Sequence, residues 1–279
     1  MRKTALDMRV VGNQHLSANY SLLILKADDV TVPCDTTSAE PFSFHTIRPG
    51  QFVQVRVENS PETFLRRPIS VNFVRPEENE LHLLIRRAGK GTEALCETEP
   101  GNILNVILPL GNGFSIPDNN DSTSFHPLLV GGGVGVAPLL YLGKRLADIG
   151  IEPSFLLAAK SEKDLLLLES FREIGTVYIS TDDGTAGVPG LVTANPALRN
   201  SWSRIYCCGP MPMMKGVAAI AHETGVPCEV SLENTMACGL GACLCCVEDT
   251  VDGHVCVCTE GPVFTTDKLK WNKTTDIHG

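Results

Sequence analysis

The sequence predicts an α+β, multi-domain protein: an N-terminal antiparallel β-barrel, a parallel-sheet α/β domain, and a C-terminal loop segment organised by cysteines. Three observations predict it. Short β-branched and aromatic runs with regular turn signals fill residues 1–115. Beyond about residue 126 the pattern becomes strands alternating with amphipathic helices. After about residue 234 periodicity stops, and glycine and cysteine dominate. At roughly 150 residues per domain, a chain of 279 residues suggests two domains and a small appendage. The expected boundaries are 1–117, 118–230 and 231–279.

The barrel strands are YSLLILKA, GQFVQVRV, ISVNFVR, ELHLLIRR and NILNVILPL, separated by the turn signals RPG, RPEENE, EPG and GNG. Strands at this spacing suit a small closed barrel. Residues 28–44 read as a loop or irregular hairpin insertion, and the polar stretch of about 118–126 as a linker. The α/β half then runs as strand HPLLVGGG, helix APLLYLGKRLADIG, strand PSFLLAAK, helix EKDLLLLESFREIG and strand TVYIST. It continues as strand SRIYCCGP, helix MPMMKGVAAIAHETG and strand PCEVSLEN. This alternation implies βαβ units and a parallel sheet.

Composition excludes several classes. With 43% hydrophobic and 20% charged residues the chain can bury a substantial core. A net charge of −9 and no Lys/Arg block argue against binding nucleic acid or an anionic membrane. The N-terminus lacks an apolar run of signal length, and the longest apolar stretch is broken by glycines and Pro138, so a cytoplasmic protein is expected. In a reducing compartment, clustered cysteines serve metal or redox chemistry more often than disulfides.

Four stretches carry candidate chemistry. LLVGGGVGVAP ends a strand and opens a helix. Its Gly131, Gly132, Gly133 and Gly135 let backbone approach a pyrophosphate at the helix N-terminus, a Rossmann-like arrangement. A ligand-free tight turn would use the same glycines; the strand–turn–helix context favours a nucleotide. CCGP places Cys208, Gly209 and Pro210 at a second strand end facing the same crevice, while Met211, Met213 and Met214 read as core. At a third strand end, Asp182, Asp183 and Gly184 either line that crevice or form a turn. In the barrel half, RRPIS pairs arginines suited to phosphate with a strand hydroxyl, Ser70. LIRRAGKGT adds a turn at Gly89 and Gly91, with Thr92 capping a following helix.

The cysteines are the sharpest signal. Six of eleven lie within 233–264, and Cys238, Cys243, Cys246 and Cys258 read C-x4-C-x2-C-x11-C. The first three have plant-type ferredoxin spacing, in which thiolates on a glycine-rich loop hold a [2Fe–2S] cluster. Structural zinc, which favours two short pairs, is the alternative. Cys245 and Cys256 are surplus to a four-ligand set, and spacing alone leaves sets that include them open.

Taken in order, the barrel, RRPIS, GGGVGVAP, CCGP and MACGLGACLCCVED…VCTEGPVF resemble the ferredoxin–NADP reductase superfamily. Within it they resemble the electron-transfer subunits of type B, NAD-dependent dihydroorotate dehydrogenases. The resemblance implies FAD on the barrel through Arg67, Pro68, Ile69 and Ser70, with Leu84, Ile85, Arg86, Gly91 and Thr92. It implies NAD(H) at Gly131, Gly132, Gly133, Gly135, Cys208, Gly209 and Pro210. It also implies one [2Fe–2S] cluster on Cys238, Cys243, Cys246 and Cys258, the last chosen because it directly precedes TEGPVF. No general-base residue is implied, because an FMN-containing catalytic subunit binds dihydroorotate in an assembly of two of each. Electrons would pass between that FMN and NAD+ through cluster and flavin, in pyrimidine (UMP) biosynthesis. Other partners remain open: a sulfite reductase, a hydrogenase, or a ferredoxin:NADP oxidoreductase. So does a zinc-stabilised nucleotide-sensing module. Lys160, Glu162, Lys163 and Asp164 offer both charges near a ribose, so the choice of NAD over NADP rests on the resemblance. Trp271 reads as part of a partly packed tail or as a partner contact.

Overall fold

Strict inside–outside alternation builds the N-terminal half. On β2 (Tyr20–Lys26), Ser21, Leu23 and Leu25 are buried while their neighbours are half-exposed. With β1 (Thr4–Ser17), β3 (Phe52–Val55), β4 (Arg67–Arg75), β5 (Glu80–Arg86) and β6 (Ile103–Leu110), it closes a barrel in the order β1-β2-β5-β4-β3-β6. Neighbouring strands pair antiparallel, so no edge is left open. Met8, Leu23, Leu25, Val53, Val55, Leu81, Leu83 and Ile85 fill the interior. The computed structural model describes residues 3–28, 42–58, 60–117 and 124–271. The expected insertion and linker therefore fall largely outside the described residues, as does the tail after Trp271.

Strand β1 was not among the expected runs. Asp7 and Arg9 interrupt its apolar stretch, yet they alternate with buried Leu6, Met8 and Val10, so the period of two is intact. Helix α1 (Lys90–Cys96) links β5 to β6 and begins two residues before Thr92. Thr92 therefore caps from inside the first turn: its Oγ1 accepts from the N–H of Ala88 at 2.9 Å and of Gly89 at 3.2 Å.

The second half forms a seven-stranded sheet from β7 (Pro127–Gly132), β8 (Ser154–Ala159), β9 (Thr176–Thr181), β10 (Val188–Pro189), β11 (Arg204–Cys208), β12 (Cys228–Ser231) and β15 (Val263–Thr265). Its order is β10-β9-β8-β7-β11-β12-β15, parallel except for β15. The chain moves outward from β7 in both directions, so the switch point lies between β7 and β11. Helices α2 (Ala137–Asp148), α3 (Leu168–Arg172) and α4 (Met211–Thr224) cover the faces.

Two expectations differ from the structure. The expected helix over EKDLLLLESFREIG is a 3-10 turn at Glu162–Asp164 and then the short α3. Four consecutive leucines cannot share one helical face, and Leu167 takes a left-handed φ of 54° as Leu166 turns into the core. Residues beyond 234 are not all loop: β13 (Val247–Thr250) and β14 (Gly253–Cys256) form a hairpin whose turn uses Gly253 at φ 104°. Helix α5 (Val257–Glu260) follows. The segment 231–279 also adds a strand to the sheet, because β15 pairs antiparallel with β12.

Buried polar contacts tie barrel to sheet. Asn72 Nδ2 donates to the Ala137 carbonyl at 3.0 Å, and the Tyr141 hydroxyl donates to the Ile47 carbonyl at 3.1 Å. Tyr206 donates to the Ser115 carbonyl at 2.7 Å, and burial pushes its phenol up to about 12. Glu229 accepts from the Ser115 N–H at 2.9 Å and from Arg204 at 3.0 Å. No helix among the described residues is long and apolar enough to cross a membrane. Replacing Asn72 with Ala removes a side-chain donor to the Ala137 carbonyl and leaves a void in a buried junction. The variant is expected to lose about 1–3 kcal/mol, read as a lower urea midpoint with unchanged far-UV circular dichroism.

Candidate functional site

Three neighbouring regions hold the residues singled out in the sequence. The first lies on the barrel at RRPIS, where the two arginines divide. Arg66 is structural: Nη1 donates to the Asn105 carbonyl at 2.9 Å and more weakly to the Gln54 carbonyl at 3.3 Å. Arg67 has a buried Nε with no hydrogen-bond partner among the described residues. A Cβ on Gly91 would lie 2.6 Å from that Nε and 3.0 Å from Thr63 Cγ2, so any side chain there would displace the Arg67 guanidinium. Ser70 is half-buried on the same strand. Leu84 packs with Val136 and Ala137, whereas Ile85 lies in the barrel core and offers a ligand only its backbone. Arg86 is exposed.

The second region is the crevice at the switch point. Strand register sets Cys208 opposite Gly131, so the GGGVG and CCGP turns are adjacent. A Cβ on Gly135 would lie 2.4 Å from the Cys208 carbonyl oxygen, and one on Gly132 would lie 2.5 Å from Met213 Sδ. Gly135 is required by its approach to the Cys208 backbone, whereas a side chain at Gly132 would have to displace the Met213 thioether. Gly133, at φ 56°, would meet only the Tyr20 hydroxyl, at 3.7 Å, and so faces open space. Cys208 and Cys207 are fully buried, and burial pushes both thiols well up. Met214 is core, as expected, and Met211 packs against it. Asp183 is used locally: its Oδ1 accepts from the Thr185 N–H at 3.0 Å and its hydroxyl at 2.7 Å, so TDDGT is a turn. Asp164 likewise accepts from the Ser161 hydroxyl at 2.6 Å.

Sequence reasoning missed two residues here. Glu233 brings Oε1 to 4.0 Å from Cys208 Sγ. Its side chain is solvent-exposed, and desolvation by the atoms crowded round its carboxyl raises it, with Arg86 opposing. Tyr20 sits at the mouth beside Gly133. Neither residue belongs to a motif, and only the fold brings them to the crevice.

The third region is the cysteine loop. Cys238 sulfur accepts from the Leu240 N–H at 3.3 Å. This hydrogen bond, with the Cys243 thiol and the N–H groups of Cys243 and Ala242, pulls the Cys238 thiol down to about 6. Cys246 and Cys258 are buried together, with the Cys258 N–H donating to Cys246 sulfur at 3.4 Å. Burial and then Cys246 push the Cys258 thiol up to about 12. The four predicted ligands thus group as two pairs. Among the described residues, no three His, Cys, Asp or Glu side chains converge as a single-ion cage. Cys245 points away, donating to the Thr235 carbonyl at 3.6 Å, while Cys256 also lies near Cys246. Gly239 and Gly241 take φ of 68° and 86°, which the loop needs and glycine alone supplies cheaply. Beneath the loop on β3, Gln54 is fully buried and neither amide atom has a partner among the described residues. Each such group ordinarily costs about 1–3 kcal/mol. Trp271 is half-buried at the end of the segment, with Lys215 Nζ 5.9 Å from its ring centre.

Residues 233–270 match the model of the iron–sulfur cluster binding domain of dihydroorotate dehydrogenase B. The chain is 39% identical over 230 residues to the dihydroorotate dehydrogenase B (NAD(+)) electron transfer subunit of Shouchella clausii, covering 81% of this chain and 87% of that one. The chain belongs to this family of electron transfer subunits. The Bacillus pumilus member is 36% identical and covers 94% of this chain and 96% of its own. Among solved structures, an NADH-dependent reduced ferredoxin–NADP oxidoreductase studied for flavin-based electron bifurcation matches with a TM-score of 0.79 and 29% identity. That alignment covers 97% of this chain and 92% of that one. The flavohaem-like FAD/NAD-binding domain of a Vibrio cholerae nitric oxide dioxygenase shares the fold, with a TM-score of 0.64 and 19% identity, over 81% of this chain and 98% of that one. An oxidoreductase component with this barrel, sheet and cluster segment follows; a zinc-stabilised module does not.

The glycine packing makes a specific prediction. Gly135→Ala forces its methyl group against the Cys208 backbone and parts the two turns. It is expected to lower stability by about 1–3 kcal/mol and to weaken nicotinamide nucleotide binding, measured by denaturant unfolding and isothermal titration on the same preparation.

Proposed function

We propose that this chain relays electrons between NAD(H) and an FMN-containing catalytic subunit that oxidises dihydroorotate, in pyrimidine (UMP) biosynthesis, within a heterotetramer of two of each. The observation that carries the reading is the adjacency of three fitting sites in a member of this family. These are an unpaired arginine under a glycine, an open nucleotide crevice, and paired thiols on a preformed loop. When bound, FAD and a [2Fe–2S] cluster supply hydride exchange with the nicotinamide and one-electron exchange with the partner.

The chain's own residues suit those groups. Arg67 would hold a flavin phosphate oxygen through its unpaired Nε–H, with Gly91 leaving the room and Ser70 hydrogen-bonding the ring edge. Pro68 and Ile69 present backbone and fix the strand, as do Leu84 and Ile85, and Arg86 and Thr92 flank the pocket. Gly131 to Gly135 with Cys208, Gly209 and Pro210 form the nicotinamide crevice, with Gly133 at its open side. Burial of Cys208 favours its uncharged thiol and keeps that negative charge away from an incoming reduced nicotinamide.

Cys238, Cys243, Cys246 and Cys258 would hold a [2Fe–2S] cluster as thiolates, the metal displacing the protons of the buried ones on binding. The ten described cysteines are free thiols, which supports a reducing, cytoplasmic setting. A second reading keeps these sites and changes the partner; the likeness to the NADH-dependent ferredoxin–NADP oxidoreductase favours it.

Co-expression with the dihydroorotate dehydrogenase catalytic subunit tests the proposal. The expected result is a co-purifying yellow-brown complex that reduces NAD+ with dihydroorotate. Co-purification with a ferredoxin-dependent enzyme instead would favour the second reading. Cys243→Ser is expected to abolish iron retention, and Cys245→Ser to preserve it, by iron and acid-labile sulfide analysis. Loss of iron in the Cys245 variant with retention in a Cys246→Ser variant would overturn the ligand register. Arg67→Ala should weaken FAD binding about tenfold or more, the worth of one charge-assisted hydrogen bond, whereas Arg66→Ala should chiefly reduce barrel stability.

A further inference from the structure

Gln54 occupies a place that nothing in the relay yet uses. On β3, Val53 and Val55 point into the barrel core, so Phe52 and Gln54 point outward, on the face shared with the directly paired Ser70 and Pro68. That outer face packs against the cysteine-rich segment: Phe52, Ile107 and Leu110 share one apolar cluster with Met236, Cys246 and Cys258. Into this setting β3 inserts an amide that is 0% exposed.

Both its Nε2 and Oε1 lack hydrogen-bond partners among the described residues. A Cβ on Gly239 would lie 2.5 Å from Gln54 Nε2, so the amide abuts the backbone one residue past Cys238. Gln51, three residues earlier and equally buried, shows the ordinary arrangement. Its Nε2 donates to the Gly111 carbonyl at 2.7 Å, and its Oε1 accepts from the Arg48 N–H at 2.7 Å. A methionine or leucine would fill the space at Gln54 without desolvating an amide, so packing does not account for the residue. The unpaired amide is aimed at the one loop expected to present sulfur acceptors.

We propose that Gln54 is a positioning residue that donates its side-chain N–H to the thiolate and sulfide shell of an iron–sulfur cluster held by this loop, and so raises the cluster's reduction potential. The inference rests on reading the loop as a cluster site. Hydrogen bonds to cluster sulfurs stabilise the more negative, reduced form. In this apolar surround such a bond acts through a low dielectric. The donor role requires Nε2, rather than Oε1, on the Gly239 side, which is the orientation the amide takes.

Redox titration of the full-length, cofactor-loaded chain, followed by electron paramagnetic resonance, tests it. Gln54→Met is expected to retain full iron and FAD, shift the g-values of the reduced cluster, and titrate at a more negative potential. At fixed potential the reduced-to-oxidised ratio should fall about tenfold. Gln54→His, which restores a donor, should recover part of the shift. Unchanged g-values and midpoint in a fully loaded Gln54→Met chain would overturn the proposal.

A second measurement needs no variant. The chain has only three glutamines, Gln14, Gln51 and Gln54. Hyperfine spectroscopy of wild-type chain carrying side-chain 15N-glutamine should show coupling between the reduced cluster and one amide nitrogen, and no coupling would refute the donor. A wild-type chain that binds FAD but no iron would instead bring down the cluster reading itself. The two failures are therefore distinguishable.

Discussion

The apposition of the barrel's outer wall to the cysteine-rich segment is the constraint on which the arrangement depends. Phe52, Ile107 and Leu110 of the barrel, Leu128 and Val130 of the central strand, and Cys246, Val257, Cys258 and Phe264 of the C-terminal segment form one apolar cluster. A segment too short to fold alone thereby gains a core from both domains. Polar contacts fix its register: the Asn112 side chain donates to the carbonyls of Thr259 and Glu260 at 3.0 Å each, and the Asn112 N–H donates to Gly261 at 2.6 Å. β15 then adds to the sheet beside β12. The last predicted ligand, Cys258, is thus held by the barrel's end turn and by the sheet together.

The same economy appears at the crevice. The two strand-end turns approach so closely that Gly135 and Gly209 are fixed by contact with each other's backbone or its neighbours, leaving Gly133 as the glycine that faces open space. Burial supplies the electrostatics. It raises the thiols of Cys207 and Cys208, whereas N–H groups from the loop lower the Cys238 thiol. The two strand-end cysteines therefore favour the neutral thiol, and Cys238 favours the thiolate, within one small molecule.

How much of this was legible in the sequence follows from where each signal lives. The barrel, the parallel sheet and the cysteine spacing are local patterns, and local patterns survive without tertiary knowledge. Strand β1 lies outside the expected runs because Asp7 and Arg9 break its apolar stretch while leaving its period of two intact. The helix expected over 162–175 does not form as one piece because four successive leucines fit no single helical face. The division between Arg66 and Arg67 is invisible in RRPIS, since it depends on Asn105 of a strand that pairs elsewhere. Glu233 and Gln54 were missed for the same reason. In GQFVQVRV, Gln54 alternates with buried valines, as a solvated outward residue would. Only the packing of a segment nearly two hundred residues later buries it.

That late burial bears on how the loop keeps its shape. Gly239 is pressed against Gln54 and Gly241 against Thr259, whose Cγ2 a Cβ would meet at 2.7 Å, so two left-handed glycines are each backed by a fixed neighbour. Leu244 adopts φ 55° although it is not glycine. A loop that holds such a conformation through contacts with β3 and α5 is preorganised by the protein, rather than shaped only by the group it binds. Preorganisation of this kind limits how far thiolates and their N–H donors can relax between oxidation states. Small structural change on electron transfer is what a relay between a hydride carrier and a one-electron partner requires. The glycine positions, the backing amide and the apolar floor are therefore parts of one device.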